Sequence, residues 1–280
     1  MLEAVCFYAF AALLLAAAVA VVLHPQPIYS VLSLLVVMFC LASLFVMLHA
    51  YFVAALQMLL YAGAVLVLFL FVIMLLNLEP EALARTRRLT LRTVGPVAAL
   101  WLFILLARIA THAGMDLPLA AAPASLGTVE ATGRALLTTY AIPFELTSFL
   151  ILAAIIGAVT LGKQESSRST PSRRHAITAQ MIPLTHYLIV SALLFAIGIA
   201  GIMMRRNVLM ILLCIELMFN AANLAFVAYA RAWGDVGGQV IVFFVITVAA
   251  AEITVGLAIA ILLSRRLKTL NADEIRLLKW

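Results

Sequence analysis

Two carboxylates lie deep inside apolar stretches of the sequence, where an ionisable side chain is costly. Glu216 stands in LLCIELMFNAAN, and Glu252 stands in VAAAEITVG. Asn220 and Asn223 follow Glu216 by four and seven residues, on the same face of a helix. A carboxylate at such a depth is by default a functional group with a proton, an ion or a buried partner.

Proton transfer is the chemistry that this pair of acids could perform. Burial disfavours the charged form of a carboxylic acid, so the group can both accept and release a proton near neutral pH. Counting the helix rise from the nearest loops places Glu216 about 13 Å and Glu252 about 20 Å from the same membrane face. Packed helices would separate the two carboxylates by roughly 10–12 Å. That gap needs bridging waters or side chains, and Asn220 and Asn223 could hold such waters. The alternative role is a pair of protonated acids that donate hydrogen bonds between closely packed helices.

Transmembrane helices must position these residues. The chain has 280 residues, of which 66% are hydrophobic and 11% charged, and this composition is typical of a membrane protein. Windows of about 20 apolar residues recur along it, and their length favours helices over barrel strands. We predict an all-α polytopic membrane protein with about eight transmembrane helices, five plus three. The predicted spans are Glu3–Leu23, Ile28–Leu48, Phe52–Asn77, Thr93–Thr111, Phe144–Gly162, Leu184–Met204, Val208–Ala230 and Gln239–Leu263.

One long polar segment, KQESSRSTPSRRHAITAQ, divides these spans and has the composition of a linker or tail. The predicted organisation is a five-helix domain at 1–162, the polar segment at 163–180 and a three-helix domain at 181–280. Met181 opens the sequence MIPLTHY directly after the linker, as the start of a second polypeptide would.

The distribution of Lys and Arg tests whether the two halves fit one continuous chain, because cytoplasmic loops are enriched in these residues. The first half carries eight on one side and two on the other, and the second half carries seven against one. Each half is strongly biased alone. If the spans alternate in direction through the linker without a break, however, the whole chain carries nine Lys and Arg residues on each side of the membrane. We therefore predict that the two parts are, or were, independently inserted polypeptides, with a break or a concatenation just before Met181. A true fusion, with an additional crossing in the region 117–129, is the alternative.

The third span contains three residues that could disturb a regular helix or act within it, Gln57, Tyr61 and Gly63. A glycine inside a long helix can mark a bulge or a hinge. A packing notch for a neighbouring helix is an equally good interpretation.

Other kinds of site find little support in the sequence. Cys6, Cys40 and Cys214 all fall inside apolar spans and are interpreted as packing residues. The sequence has no cluster of His, Cys or carboxylates with metal-ligand spacing and no Gly-rich phosphate loop. We therefore expect no metal and no cofactor in this chain, and any redox chemistry would occur in another subunit.

Several long segments resemble known membrane subunits. AYFVAALQMLLYAGAVLVLFLFVIMLLNL and YAIPFELTSFLILAAIIGAVTLGK resemble the NuoJ subunit of respiratory complex I. MIPLTHYLIVSALLFAIGIAGIMMRRNVLMILLCIELMFNAANLAFVAYAR and GQVIVFFVITVAAAEITVGLAIAI are similar to NuoK. The most specific matches are YAGAVLVLF, IELMFNAAN and AAAEITVG.

The resemblance implies membrane-arm subunits of a proton-pumping NADH:quinone oxidoreductase, which contain no redox centre. In NuoK-type proteins, two mid-membrane glutamates that match Glu216 and Glu252 belong to a polar axis linking quinone chemistry to proton translocation. In NuoJ-type proteins the third span switches between a π-bulged and a regular helix and gates that axis. Many relatives carry a glutamate where this chain has Gln57. The gating region maps to Tyr61, Gly63, Ala64 and Val65.

The resemblance also implies where the protein works and with what partners. NAD(H), FMN, Fe–S clusters and quinone are expected in partner subunits, which would include a quinone-site subunit and antiporter-like subunits. The expected location is the bacterial cytoplasmic membrane, and nucleic acid is not an expected partner. Two other readings remain: NuoJ-like and NuoK-like modules of an Mrp-type cation/proton antiporter, and a purely structural membrane scaffold.

Overall fold

The computed structural model describes residues 2–76, 126–162 and 182–274, together with Leu100, Trp101, Phe103, Ile104 and Arg108. These residues form helices and short connections, and the described part of the chain contains one isolated β-bridge, between Asn207 and Asn271. The all-α class is confirmed. The linker and most of the predicted fourth span, Thr93–Thr111, lie outside the described residues.

The helices agree closely with the predicted spans. Among the described residues, six helices are long and apolar enough to cross a membrane, counting 51–76 as one span. Val129–Leu137 and Ala141–Ile156 form a further candidate that is bent by 87°. The helices are α1 (Leu2–Leu23), α2 (Pro27–Met47), α3 (Tyr51–Leu56), a π-helix (Gln57–Val65), α4 (Leu66–Leu76), α5 (Val129–Leu137), α6 (Ala141–Gly162), α7 (Leu184–Met204), α8 (Val208–Trp233) and α9 (Gly237–Leu267), followed by the 3-10 helix Ala272–Glu274.

Local sequence explains the ends of α8, the helix that carries Glu216. The Asn207 side chain accepts a hydrogen bond from the Leu209 N–H at 2.9 Å, which caps the start of the helix. Gly234 ends it with a φ of 66°, a left-handed conformation that glycine adopts without a steric penalty. Between these signals α8 runs for 26 residues as a regular helix.

Small residues let α7 and α8 pack closely as an antiparallel pair. A side chain at Gly198 would collide with Met218 and the Cys214 carbonyl, so this position needs a glycine. The Ser191 hydroxyl donates to the Ala221 carbonyl at 2.6 Å across the same interface. Close backbone approach of this kind is a common way to hold helices together in a membrane.

The first and second halves of the chain enter the bundle from the same end. The Phe7 and Tyr187 rings, near the starts of α1 and α7, lie 4.6 Å apart. At the opposite end, the Arg205 guanidinium donates to the Val22 carbonyl at 2.7 Å and to the His24 carbonyl at 2.5 Å. Therefore α1 and α7 are parallel. We call the end with Tyr187 the outer end and the end with Arg205 the inner end.

The basic residues of the described ranges favour one end of the bundle. Five basic residues lie at the inner end: Arg205, Arg206, Arg265, Arg266 and Lys268. Arg134 and Arg231 lie at the outer end. This is the distribution expected if the inner end faces the cytoplasm.

The segment between α6 and α7 must join opposite ends of the bundle. Phe144 of α6 lies 6.1 Å from Phe243 of α9, ring to ring, and Tyr140 lies beside Gly237. Thus α6 runs parallel to α9, which ends at the inner end, where the Val208 N–H donates to the Leu270 carbonyl at 3.0 Å. Gly162 therefore points toward the inner end, whereas Leu184 starts at the outer end. The directions of the helices therefore agree with the charge distribution, since both place the end of the first half and the start of the second half on opposite sides of the membrane.

Candidate functional site

The centre of the bundle holds a polar contact between the two halves of the chain. The Tyr61 hydroxyl of the π-helix donates a hydrogen bond to a carboxylate oxygen of Glu216 on α8, 155 residues away in sequence. Tyr61 is 0% exposed and Glu216 is 2% exposed. A buried carboxylate without such a donor would carry the full cost of its desolvation, so this hydrogen bond stabilises the site.

Gln57 extends this contact by one helical turn. Its side-chain amide donates to the Asn220 side-chain oxygen at 2.7 Å and to the Met38 sulfur at 2.9 Å. The Asn220 amide in turn donates to the backbone carbonyl of Glu216 at 2.8 Å. Both Gln57 and Asn220 are fully buried. The structure therefore brings Gln57, Tyr61, Glu216 and Asn220 together in one cluster.

Asn223 lies on the same face of α8 but is not hydrogen-bonded to this cluster. It is fully buried, and neither atom of its side-chain amide has a hydrogen-bond partner among the described residues. The side-chain oxygen of Gln57 is also unpaired. Buried polar atoms are normally paired with protein or ordered water, so these three atoms are natural positions for water. This agrees with the expectation that Asn223 holds a bridging water, which stays a prediction.

Glu252 occupies a different environment from Glu216. It lies on α9 and is partly exposed, and its side-chain carboxyl group has no hydrogen bond to another described residue. It is nevertheless close enough to act electrostatically on both Glu216 and Tyr61. The two carboxylates are therefore neighbours without a direct hydrogen bond, in line with the prediction that something else must connect them.

The four residues predicted to gate the site all lie in the π-helix Gln57–Val65. Tyr61 faces the core, whereas Gly63 and Ala64 are exposed on the other side and Val65 is intermediate. A side chain at Gly63 would meet only the carbonyl of Met58, at 3.2 Å, and that carbonyl belongs to the same helix. Of the two interpretations of Gly63, the geometry favours the bulge over a packing notch within this chain. A change between helical states stays a prediction.

Sequence reasoning missed three residues around this site. It did not connect Met38 to Gln57, because nothing in a sequence shows which helices are adjacent. It ended the seventh span at Ala230 and counted Arg231 as a loop residue, whereas α8 continues to Trp233 and Arg231 is 4% exposed. Gln239, at the start of α9, is fully buried, and its side-chain amide has no hydrogen-bond partner among the described residues.

Cysteines and acidic residues do not form a second site in the described residues. Cys40 and Cys214 are buried, Cys6 is partly buried, and all three are free. No group of three or more His, Cys, Asp or Glu side chains in the described ranges is arranged to hold a metal ion. A carboxyl group that is hydrogen-bonded to a hydroxyl, as in the cluster, has the chemistry to accept and release a proton.

Comparison with known families accounts for both halves of the chain. Residues 17–161 match the family NADH-ubiquinone/plastoquinone oxidoreductase chain 6. Residues 186–280 match the family NADH-ubiquinone/plastoquinone oxidoreductase chain 4L. The cluster combines residues from both matched regions, since Gln57 and Tyr61 belong to the first and Glu216 and Asn220 to the second.

Individual proteins similar to the second half are whole proteins of about its length. NADH-quinone oxidoreductase subunit K of Anaeromyxobacter sp. (strain Fw109-5) is 54% identical over 98 residues, which are 35% of this chain and 98% of that protein. The subunit K of Methylacidiphilum infernorum (isolate V4) is 56% identical over 99 residues, again 35% of this chain and 98% of that protein. The subunit K of Bordetella avium (strain 197N) is 56% identical over 99 residues, which are 97% of its length.

Proposed function

The chain belongs to the NADH-ubiquinone/plastoquinone oxidoreductase families, as chain 6 over residues 17–161 and as chain 4L over residues 186–280, and on that premise we propose that its buried polar cluster passes protons. It is a multi-pass membrane protein of complex I, the enzyme that couples quinone reduction to proton translocation, and its partners are other complex I subunits. The matched families and the names of the relatives favour this enzyme over a cation/proton antiporter.

The hydrogen bond from Tyr61 to Glu216 is the observation that carries the proposal. It joins a carboxylate on a regular helix to a hydroxyl on a π-helix, whose hydrogen bonds each span one residue more than those of an α-helix. If the π-helix became a regular α-helix, a shift of register by one residue would rotate one part of the third span by about 100° relative to the other. The hydroxyl would then leave Glu216. The helical state of the third span thus controls whether the carboxylate is held by Tyr61.

In this proposal Glu216 and Glu252 are successive stations for a proton. Glu216 is enclosed by the two halves of the chain, whereas Glu252 is partly exposed on α9. A carboxylate exposed at mid-membrane depth would be costly against lipid, so Glu252 faces a neighbouring subunit or a hydrated cavity. Water between the two acids, held by groups such as Asn220 and Asn223, completes the connection.

The redox chemistry belongs to partner subunits in this proposal. NAD(H), FMN, Fe–S clusters and quinone would be bound there, and the neighbours of this chain would be the quinone-site subunit and antiporter-like subunits. The membrane would be the bacterial cytoplasmic membrane. The polar cluster would receive its signal from quinone reduction through the third span.

Two matched variants test the proton relay. Glu216→Gln and Glu252→Gln keep the size of each side chain but remove its ability to titrate. We expect proton pumping and quinone-coupled turnover of the reconstituted complex to fall about tenfold or more, with assembly retained. Glu145→Gln, on the exposed start of α6, is the control and should leave both rates unchanged.

The scaffold alternative makes the opposite prediction for these variants. If both glutamates can be neutralised with a wild-type ratio of protons to electrons, they take no part in the mechanism. A loss of assembled complex without a change in that ratio would also favour a structural role.

We also propose that residues 1–162 and 181–280 are inserted as separate polypeptides. The parallel packing of α1 with α7 and of α6 with α9 puts Gly162 and Leu184 at opposite ends of the bundle. A continuous chain would have to carry Lys163, Arg168 and two further arginines through or around the bilayer, and charges at its centre are costly. Denaturing electrophoresis of the purified protein decides the question, since one band near 30.3 kDa would exclude separate chains.

A further inference from the structure

The polar face of α8 continues beyond the cluster toward the outer end. Glu216, Asn220, Asn223 and Arg231 follow one another at intervals of four, three and eight residues, so they lie on one face of the helix. All four are at most 4% exposed. From Glu216 to Arg231 the helix rises about 22 Å, which is the distance from mid-membrane to beyond the edge of the hydrocarbon. A buried line of polar side chains therefore leads from the central carboxylate to the outer end.

Two side-chain amides along this buried polar line lack hydrogen-bond partners. Asn223 and Gln239 are both fully buried, and all four of their side-chain amide atoms lack a hydrogen-bond partner among the described residues. Each such atom destabilises the folded protein if it stays unpaired, because it has lost its hydrogen bonds to water. Ordered water removes this cost, because a buried water makes about three hydrogen bonds to groups of this kind.

Gln239 lies at the correct height to continue the line. The adjacent Gly238 packs against the Phe226 carbonyl and the Ala230 side chain, where an added side chain would collide with both. The start of α9 therefore sits beside the part of α8 between Asn223 and Arg231. This part of α8 is otherwise apolar on its buried face, with Val227 fully buried.

A fixed positive charge closes the outer end of the line. Arg231 lies within electrostatic range of Tyr51, Tyr187 and His49. Burial, followed by the nearby Arg231 charge, lowers the pKa of His49, so the imidazole is neutral at pH 7. His49 also pairs with the Tyr51 hydroxyl at 3.2 Å. Arg231 thus places a buried cation at the outer end of this line, and a cation in a narrow path repels protons.

We propose that a water-lined path leads from Glu216 past Asn223 and Gln239 to the outer face, and that the charge of Arg231 sets the electrostatic barrier to passive proton movement along it. The path rests on the proposed role of Glu216 as a proton carrier. Its chemistry requires only water and transferable protons, with no further cofactor. Arg231 is a selectivity residue in this scheme, and Asn223 and Gln239 position the water.

Passive proton leak measures the barrier directly. The leak is measured in the reconstituted, non-respiring complex with the outer side more acidic than the inner side. We expect Arg231→Gln to raise it on the order of tenfold, because a unit charge about 10 Å away has an effect of that size at an intermediate dielectric constant. Arg231→Lys keeps the charge and should leak as the wild type does. An unchanged leak in Arg231→Gln, in complex that assembles normally, would overturn the barrier.

A second substitution tests the path itself. Adding Asn223→Leu to Arg231→Gln should return the leak to the wild-type level, because leucine has similar size but cannot hold water. If the leak persists, protons pass elsewhere and the path is wrong. Asn223→Leu alone should lower pumping, whereas a merely structural Asn223 would give unchanged pumping and higher thermal stability, because two unpaired polar atoms are removed.

These outcomes are separable from the fate of the proposed relay. Glu216→Gln alone, measured as pumping during turnover, tests the relay. Adding Glu216→Gln to Arg231→Gln tests whether the leak passes through that carboxylate. If Glu216→Gln leaves pumping unchanged, the proposed relay is wrong. The leak of Arg231→Gln then still tests the barrier at Arg231, because it is measured without turnover.

Discussion

The third span and α8 form two sides of the same polar cluster, but their backbones differ. The span over residues 51–76 is interrupted by a nine-residue π-helix, whereas α8 is a regular helix of 26 residues that is capped at its start and closed by glycine at its end. Glu216 sits on the regular helix and Tyr61 on the interrupted one. If the third span changes its register, as we propose, the carboxylate would stay on a regular helix while its donor moves, which is the arrangement that a switchable proton site needs.

The largest effect should come from removing the contact between the two helices. Tyr61→Phe keeps the ring but removes the hydroxyl that donates to Glu216. Losing one hydrogen bond to a buried acidic group costs about 1–3 kcal/mol, so quinone-coupled turnover should fall on the order of tenfold. Steady-state turnover of the reconstituted complex measures this, with Tyr8→Phe at the exposed start of α1 as the control.

A double variant shows whether Tyr61 acts through Glu216. If it does, Tyr61→Phe should add little to the loss caused by Glu216→Gln. Fully additive losses would mean that the two side chains act independently, and the comparison between the two helices would lose its functional meaning.

A smaller effect is expected from changing the backbone preference of the interrupted helix. Gly63→Ala favours a regular α-helix by about 1 kcal/mol, and its new side chain would also crowd the Met58 carbonyl of the π-helix. The balance should shift about fivefold toward the regular helix. The fractions of particles with each form of the third span, counted by cryo-electron microscopy, measure the shift.

Ala64→Gly is the matched control for this prediction. It lies in the same exposed part of the π-helix and removes the same methyl group, so it should shift the balance in the opposite direction. A shift of the same sign in both variants would contradict the role of helix preference at these positions.

The smallest effect should come from weakening the regular helix at its end. Asn207→Ala removes the cap on the Leu209 N–H and should destabilise the protein by about 1 kcal/mol without changing turnover at moderate temperature. The midpoint of thermal inactivation of the complex measures this loss, and Asn207→Ser should retain most of the stability. A large loss of turnover instead would show that α8 is not a passive support.

Much of the architecture could be predicted from residue patterns. The apolar windows predict helices because the backbone of a membrane span cannot hydrogen-bond to hydrocarbon and must satisfy its polar groups within the helix. The predicted ends of these windows lie within a few residues of the observed helix bounds. Spacing alone placed Asn220 and Asn223 on the face of Glu216, which the structure confirms. The fourth predicted span lies mostly outside the described residues and stays a prediction. The position of Arg231 was wrong, because the apolar count ends at Ala230 while the helix continues.

The sequence by itself determined the class of the protein, the depth of its two carboxylates and the opposed charge bias of its halves, since these follow from composition and helix periodicity along one chain. Only the tertiary structure decided that Tyr61 meets Glu216, that Gln57 meets Asn220 and that Gly162 and Leu184 lie at opposite ends. Those facts depend on which helices are neighbours and on how they are shifted along each other. Packing across more than 150 residues sets both, and no local pattern records them.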